Sequence, residues 1–274
     1  MGETKRWMAM AAVLAGVAAG PAAAEPVGYR YDIYWGGLHA GDLALTRDET
    51  GAHYRSDMAI STAGLFDLLL RLRFAAESSG RIGPRPLPDH YQTHSRSRRE
   101  ERLLRLSFDP AGEPGAVDDR LLAVFQPHDD DEPAAPVPPA MQQGTLDPLT
   151  NIDQVGRGVR AALAGRGPDR FTVASWDGRR RYDFAVTVHA PHRIHMGERD
   201  YDTVAIAMEM IPLGGFKPKF LKMWEGAAYQ VDLDPATMLP LRIASESFGA
   251  ALVISATAPC TVPAAQCREQ MAAR

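Results

Sequence analysis

From Glu25 onward the apolar residues recur mostly at every second position, and Gly, Pro and Asp interrupt them at strand-length intervals. That period sends alternate side chains to opposite faces of an extended chain, giving each segment one face for a core and one for water. The pattern predicts a mainly β fold built as a strongly curved antiparallel sheet or incomplete barrel. In the opening segment Tyr29, Tyr31, Ile33 and Trp35 share a face, and Gly36-Gly37 offers a tight hairpin into a second strand at 38–46. Further strands are predicted at 53–61, 69–82, 89–98, 102–108, 170–176, 180–188, 201–211, 228–232, 241–247 and 251–256. Asp177-Gly178 supplies another hairpin turn, and Val204, Ile206, Met208 and Met210 form a continuous apolar face. The triplet Pro84, Pro86 and Pro88 and the run Asp109-Pro110-Ala111-Gly112 read as joints.

One stretch changes period. Asp147 is a good N-cap and Pro148 sits at the first helical position, where its missing N–H costs nothing. Leu149, Ile152, Val155, Val159 and Leu163 then recur at spacings of three and four, and Gly165 and Gly167-Pro168 stop the run. These features predict an amphipathic helix over 148–164. Its apolar stripe needs a surface to lie on, and in a β protein that surface is the concave face of the sheet. The acidic, proline-rich run 129–139 reads as an exposed loop between two halves of one sheet.

The first 24 residues read differently. Lys5 and Arg6 precede an uncharged apolar stretch from Met8 to Gly20, and Ala22-Ala23-Ala24 follows. This order predicts a cleavable export signal over 1–24, a mature chain starting at Glu25, and one β-rich domain over 25–258. No cysteine lies near the cut to take a lipid, so the expected product is soluble and periplasmic, with secretion as the alternative. No mature segment is apolar for long enough to predict a transmembrane span. A net charge of −4 without a basic concentration argues against nucleic acid. The only cysteines, Cys260 and Cys267, lie in a C-terminal tail over 259–274. An exported chain favours a disulfide between them over a metal pair or free thiols, since no His or second Cys pair stands nearby.

Several of these segments together resemble the exported bacterial family known only as a domain of unknown function, number 3108 (DUF3108). The resemblance is carried by Trp35-Gly36-Gly37-Leu38-His39-Ala40-Gly41, Asp147-Pro148-Leu149-Thr150, Trp176-Asp177-Gly178 and Leu239-Pro240-Leu241, and spans Tyr29 to Ala256. It implies a curved antiparallel sheet with few helices and brings no activity and no site residues. The general shape is similar to periplasmic lipoprotein carriers of the LolA type, an analogy of fold alone.

Candidate sites lie where the alternation breaks. Ala63–Leu70 holds five large apolar residues in eight, with Leu65, Phe66 and Leu69 among them. It reads either as a lid over a hydrophobic ligand or as a bend in a buried strand. At 211–224, Gly and Pro interrupt the ladder while Phe216, Phe220 and Trp224 stand beside Lys217, Lys219 and Lys222. Apolar anchors with ammonium groups suit an acyl chain with an anionic head, or a membrane surface; a basic loop with its aromatics folded inward is the plainer alternative. His189, His192 and His195 invite a metal, but residues three apart on a strand face opposite ways and no fourth ligand is placed. The run Arg96, Arg98, Arg99, Glu100, Glu101, Arg102 and Arg105 contains both signs and reads as a solvated face of a charged hairpin, with an anion site as the alternative.

There is no nucleophile elbow, no His-Glu-x-x-His, no phosphate-cradling loop and no cysteine with a plausible base. No cofactor is implied. The expectation is a non-enzymatic envelope protein that binds a hydrophobic small molecule or lipid. A binding or scaffolding module for an envelope protein partner stands second, and a lipid- or glycan-acting hydrolase third.

Overall fold

The computed structural model describes residues 26–126 and 133–272. The export signal, its cleavage point and the first residues of the acidic run, 129–132, therefore lie outside the described residues.

The first described strand lies in the centre of the sheet. From there β1 (Val27–Trp35), β2 (Leu38–Thr50), β3 (His53–Thr62), β4 (Arg73–Arg81), β5 (Leu87–Arg96), β6 (Glu100–Phe108) and β7 (Pro114–Val124) run outward as a meander to one edge. The chain then crosses to the opposite edge through α2 (Pro139–Gln142) and α3 (Pro148–Leu163). It returns through β8 (Arg170–Trp176), β9 (Arg181–Met196), β10 (Arg199–Gly214), β11 (Ala228–Leu233), β12 (Pro240–Ser245) and β13 (Leu252–Pro259), and β13 pairs with β1. Among the described residues the result is one sheet of 13 strands, antiparallel throughout, whose edges β7 and β8 do not pair. It is an incomplete barrel. The segment before α3 caps the β8 edge: Leu146 accepts the Trp176 N–H at 2.9 Å and donates to the Ala174 carbonyl at 3.0 Å. Glu113, at the start of β7, takes the Gly144 N–H at 2.6 Å, and Arg179 reaches Asp119 of β7 at 3.5 Å.

Local chemistry explains most of the elements. Gly36 and Gly37 turn the first hairpin at φ of 57° and 81°, the left-handed pair that matches strand twist. Asp147 caps α3 as the sequence predicts: its Oδ1 accepts the N–H groups of Leu149 and Thr150, both at 3.0 Å. Two glycines inside α3 would ordinarily weaken a helix. They are accounted for by close approach, because a Cβ on Gly158 would stand 2.4 Å from the Phe171 ring and one on Gly156 would stand 2.8 Å from Met238. The helix lies on the sheet at these two points and joins two core clusters: Leu149 packs with Tyr31, Leu45, Tyr91 and Leu106, and Val155 and Val159 pack with Val173, Val186 and Ile206.

The structure corrects some sequence expectations. Residues 64–70 are neither a loop nor a bent strand but the short helix α1 (Gly64–Leu70), closed by Arg71 at φ 47°, so the strand predicted from 69 begins at Arg73. Consecutive leucines favour a helical turn over a pleat, and Asp67 fixes it by accepting from Thr62 Oγ1 at 2.9 Å and Arg73 at 2.6 Å. Strand β7 carries no period-two signal because Val117, Leu121, Leu122 and Val124 are all exposed on this edge strand, with no single buried face to select for. Between 215 and 227 the chain forms α4 (Pro218–Trp224) rather than an irregular loop. On α3 the buried stripe ends at Ala162, and Leu163 is 44% exposed. Cys260 and Cys267 are disulfide-bonded with Cα atoms 6.2 Å apart. The bond fixes α5 (Ala264–Ala272) against β2 and β3, where both cysteines are buried with Ala44, Ala59 and Ala264.

Candidate functional site

The period-two faces of the central strands point at α3 without filling the space beneath it. Tyr31 and Leu45 come from one half of the sheet; Ile206, Met208, Val231, Ile243 and Ile254 come from the other; Ile152 and Val155 hang from the helix. Between them lies a cavity of about 190 Å³. Leu43, Met58, Ile152, Met208, Ile243 and Ile254 pack against the core yet stay only half-buried, because part of each also faces this space.

The lining is almost free of polar groups. Tyr31 donates its hydroxyl to the Pro240 carbonyl at 2.8 Å, and burial pushes its phenol far above the ordinary range, so it stays neutral. Asn151 donates from Nδ2 to the Ala174 carbonyl at 3.0 Å. Among the described residues no charged side chain lines the cavity. Such a space can hold an apolar group but offers no acid, base or nucleophile. Its volume exceeds the roughly 150 Å³ of an engineered apolar cavity that stays dry and takes up benzene. It is smaller than the ~300 Å³ at which sites for drug-sized ligands begin. Room exists for a ring or the end of an acyl chain, not for a whole lipid.

The buried cluster around Asp147 is self-satisfied. Beside the cavity, Asp147 Oδ2 accepts from Ser78 Oγ at 3.0 Å and Thr150 Oγ1 at 2.5 Å, and Tyr54 shares a hydrogen bond of 2.7 Å with that Thr150 hydroxyl. Burial raises the Asp147 pKa, and the bonds from Thr150, Ser78 and Leu149 offset part of the rise. Every oxygen of this carboxylate is engaged, so it holds the helix rather than a reactant.

The three histidines lie exposed on β9 and are not brought together. His192 meets Asp232 at 3.1 Å, and His195 meets Asp200 at 2.8 Å. A group the sequence reading passed over, Asp32, His39 and Asp42, does come together at the first hairpin, where Asp32 and Asp42 face each other across the β1–β2 ladder and His39 Nε2 is 3.3 Å from Asp42. It is a cluster near the surface in which one imidazole faces two carboxylates.

None of the six residues singled out from the sequence for an apolar ligand lines the cavity. Leu65, Phe66 and Leu69 sit on α1, Phe220 and Trp224 on α4, and Phe216 is buried against Tyr182. The two segments are nonetheless linked. The Trp224 ring is 5.6 Å from Phe248, Trp35 Nε1 donates to the Phe248 carbonyl at 3.3 Å, and the Trp35 ring is 5.8 Å from Phe66. The cavity itself left no local signal, since its walls come from strands far apart in sequence.

The family model described as "Protein of unknown function (DUF3108)" matches residues 30–251. No curated protein matches the chain. Among solved structures the chain is similar to the crystal structure of a β-barrel-like protein of domain of unknown function DUF1849 from Brucella abortus. The TM-score is 0.53 and the identity 10%, over 87% of this chain and 98% of that one. At that identity the likeness carries the sheet architecture alone. Among the described residues no helix is long and apolar enough to cross a membrane.

Proposed function

For this chain, which belongs to the DUF3108 family, we propose a non-enzymatic role: an exported, periplasmic protein that holds the apolar part of a small molecule or lipid between its sheet and α3. The observation that carries the reading is the cavity of about 190 Å³ with apolar walls and no charged group. A ligand threading one end into it gains about 0.8 kcal/mol for each methylene removed from water. Its polar end stays outside.

Titration of the purified protein with a fluorescent fatty-acid analogue tests this. Saturable binding is expected, and Ile243→Phe, which fills the cavity from β12, should weaken it at least tenfold. The melting temperature should hold or rise, since the new ring gains contacts in an empty space. Loss of binding together with stability would mark Ile243 as ordinary core, and an absence of saturable binding would overturn the proposal.

Export is supported by the residue order of 1–24 and by the disulfide, a bond that persists in oxidising compartments. N-terminal sequencing of protein from a periplasmic extract is expected to begin at Glu25. Recovery of the chain with Met1 intact would overturn export by cleavage.

A second reading, a contact for an envelope protein, is favoured by β7. That edge strand pairs only with β6 among the described residues and exposes Val117, Leu121, Leu122 and Val124.

A further inference from the structure

Antiparallel pairing assigns each connection of the sheet to one of its two ends. One end carries 36–37, 63–72, 97–99, 125–126, 177–180, 215–227 and 246–251; the turns at 51–52, 82–86, 109–113, 197–198 and 234–239 lie at the other. The two ends differ in chemistry. At the first, Leu65 and Leu68 are 59% exposed, Leu69 58%, Phe220 42% and Leu221 39%. The five turns at the second expose no large apolar side chain. The ring contacts of Trp224 with Phe248 and of Trp35 with Phe66, joined by the hydrogen bond from Trp35 to the Phe248 carbonyl, make α4, two hairpin turns and α1 one connected surface.

Charge divides the same way. Over the stretches named, the apolar end holds eight Lys and Arg against four Asp and Glu, and the other end holds one against four, in a chain of net charge −4. Beside α1, Arg71, Arg96 and Arg98 surround an open cleft of about 440 Å³, with the Arg96 guanidinium 5.4 Å over the Phe125 ring. On α4, Lys219 Nζ stands 4.8 Å over the Phe220 ring.

We propose that this end of the sheet docks on a lipid bilayer surface bearing anionic headgroups. The leucines of α1 and the apolar residues of α4 enter the headgroup layer, and the flanking cations meet the phosphates. Apolar anchors ringed by long cationic side chains are what an interfacial site requires. Clustered Lys and Arg near an anionic surface add attraction that salt screens. A second copy of this chain fits less well, because a two-fold contact through this face sets its cations against each other. The proposal stands apart from ligand binding, since none of these residues lines the cavity.

Co-sedimentation of the mature chain with vesicles of phosphatidylcholine alone, and of phosphatidylcholine mixed with phosphatidylglycerol, tests it. At least tenfold stronger partitioning onto the anionic vesicles is expected, weakened by added salt and accompanied by a blue shift of tryptophan emission from Trp35 and Trp224. The triple variant Leu65→Ser, Leu68→Ser, Leu69→Ser and the double variant Lys219→Glu, Lys222→Glu should each lose at least tenfold in partitioning with an unchanged melting curve. Leu163→Ser, comparably exposed but on α3, should lose nothing. Equal partitioning onto both vesicles, or onto neither, overturns the proposal. So does a dimer in solution that the leucine variant abolishes, which would make this face an interface between copies. Fatty-acid binding by the triple variant, measured alongside, separates this outcome from that of the cavity.

Discussion

Val155→Asp is expected to destabilise the protein by about 4 kcal/mol at neutral pH, and Leu163→Glu, two turns along the same helix, by roughly 0.5 kcal/mol or less. Val155 is 6% exposed and lies in the cluster that holds Val159, Val173, Val186 and Ile206, whereas Leu163 is 44% exposed. The wall around Val155 contains no cation, so an introduced carboxylate has no charge to pair with. It escapes only by taking up a proton, and each unit by which burial raises its pKa costs about 1.4 kcal/mol at neutral pH. The variant's deficit should therefore shrink as the pH is lowered through that raised pKa, while the deficit of Leu163→Glu stays small throughout. Urea unfolding at neutral and mildly acidic pH measures both. Equal stability of the two variants at neutral pH would mean that α3 does not lie on the concave face as described.

What could be read from the chain divides along a physical line. Asp147-Pro148 and the stripe through Leu149, Ile152, Val155 and Val159 were legible because a cap and a helical period are local properties, complete within sixteen residues. Most strands were legible for the same reason, since each buries one face and the pleat writes that face into every second residue. The reading failed where burial does not select. Strand β7 is exposed on both sides, so nothing forces its residues to alternate. Helix α1 has no buried residue, and its run of leucines could be assigned neither a core face nor a period. Arg157, which the pattern sets on the solvent side of α3, is tied to Asp153 at 2.8 Å and to the Gly83 carbonyl at 2.8 Å, contacts that depend on where the β4–β5 turn lies. The cavity is the extreme case. Tyr31, Met58, Met208 and Ile254 each look like ordinary inward residues of their own strands, and the space they leave exists only once the sheet from β3 through β1 and β13 to β10 is assembled under α3.

Asp147→Ala is expected to cost about 3 kcal/mol, and Asp147→Asn less than about 1 kcal/mol, at neutral pH. The alanine leaves the buried N–H groups of Leu149 and Thr150 without acceptors, and each unsatisfied donor costs about 1–3 kcal/mol. It also removes the acceptor of the Ser78 hydroxyl at 3.0 Å, leaving its 2.9 Å contact with Thr150 Oγ1. Asparagine keeps an oxygen for the two N–H groups, and its amide can donate to the Ser78 and Thr150 hydroxyls, which turn to accept. The comparison also has a sign in pH. Burial, only partly offset by the bonds from Thr150, Ser78 and Leu149, raises the folded-state pKa of Asp147 above its ordinary value of 3.8, so the folded state holds its proton more tightly than the unfolded chain. The stability this shift contributes is fully present below the unfolded value and is lost as the pH rises through the folded one. Wild type should therefore gain on Asp147→Asn as the pH falls through the folded-state pKa toward 3.8, and show its least advantage near neutrality. Urea unfolding of both variants and wild type across that interval measures the difference. If alanine proves as stable as asparagine at every pH, the carboxylate is not what joins β4, α3 and the sheet edge into one core.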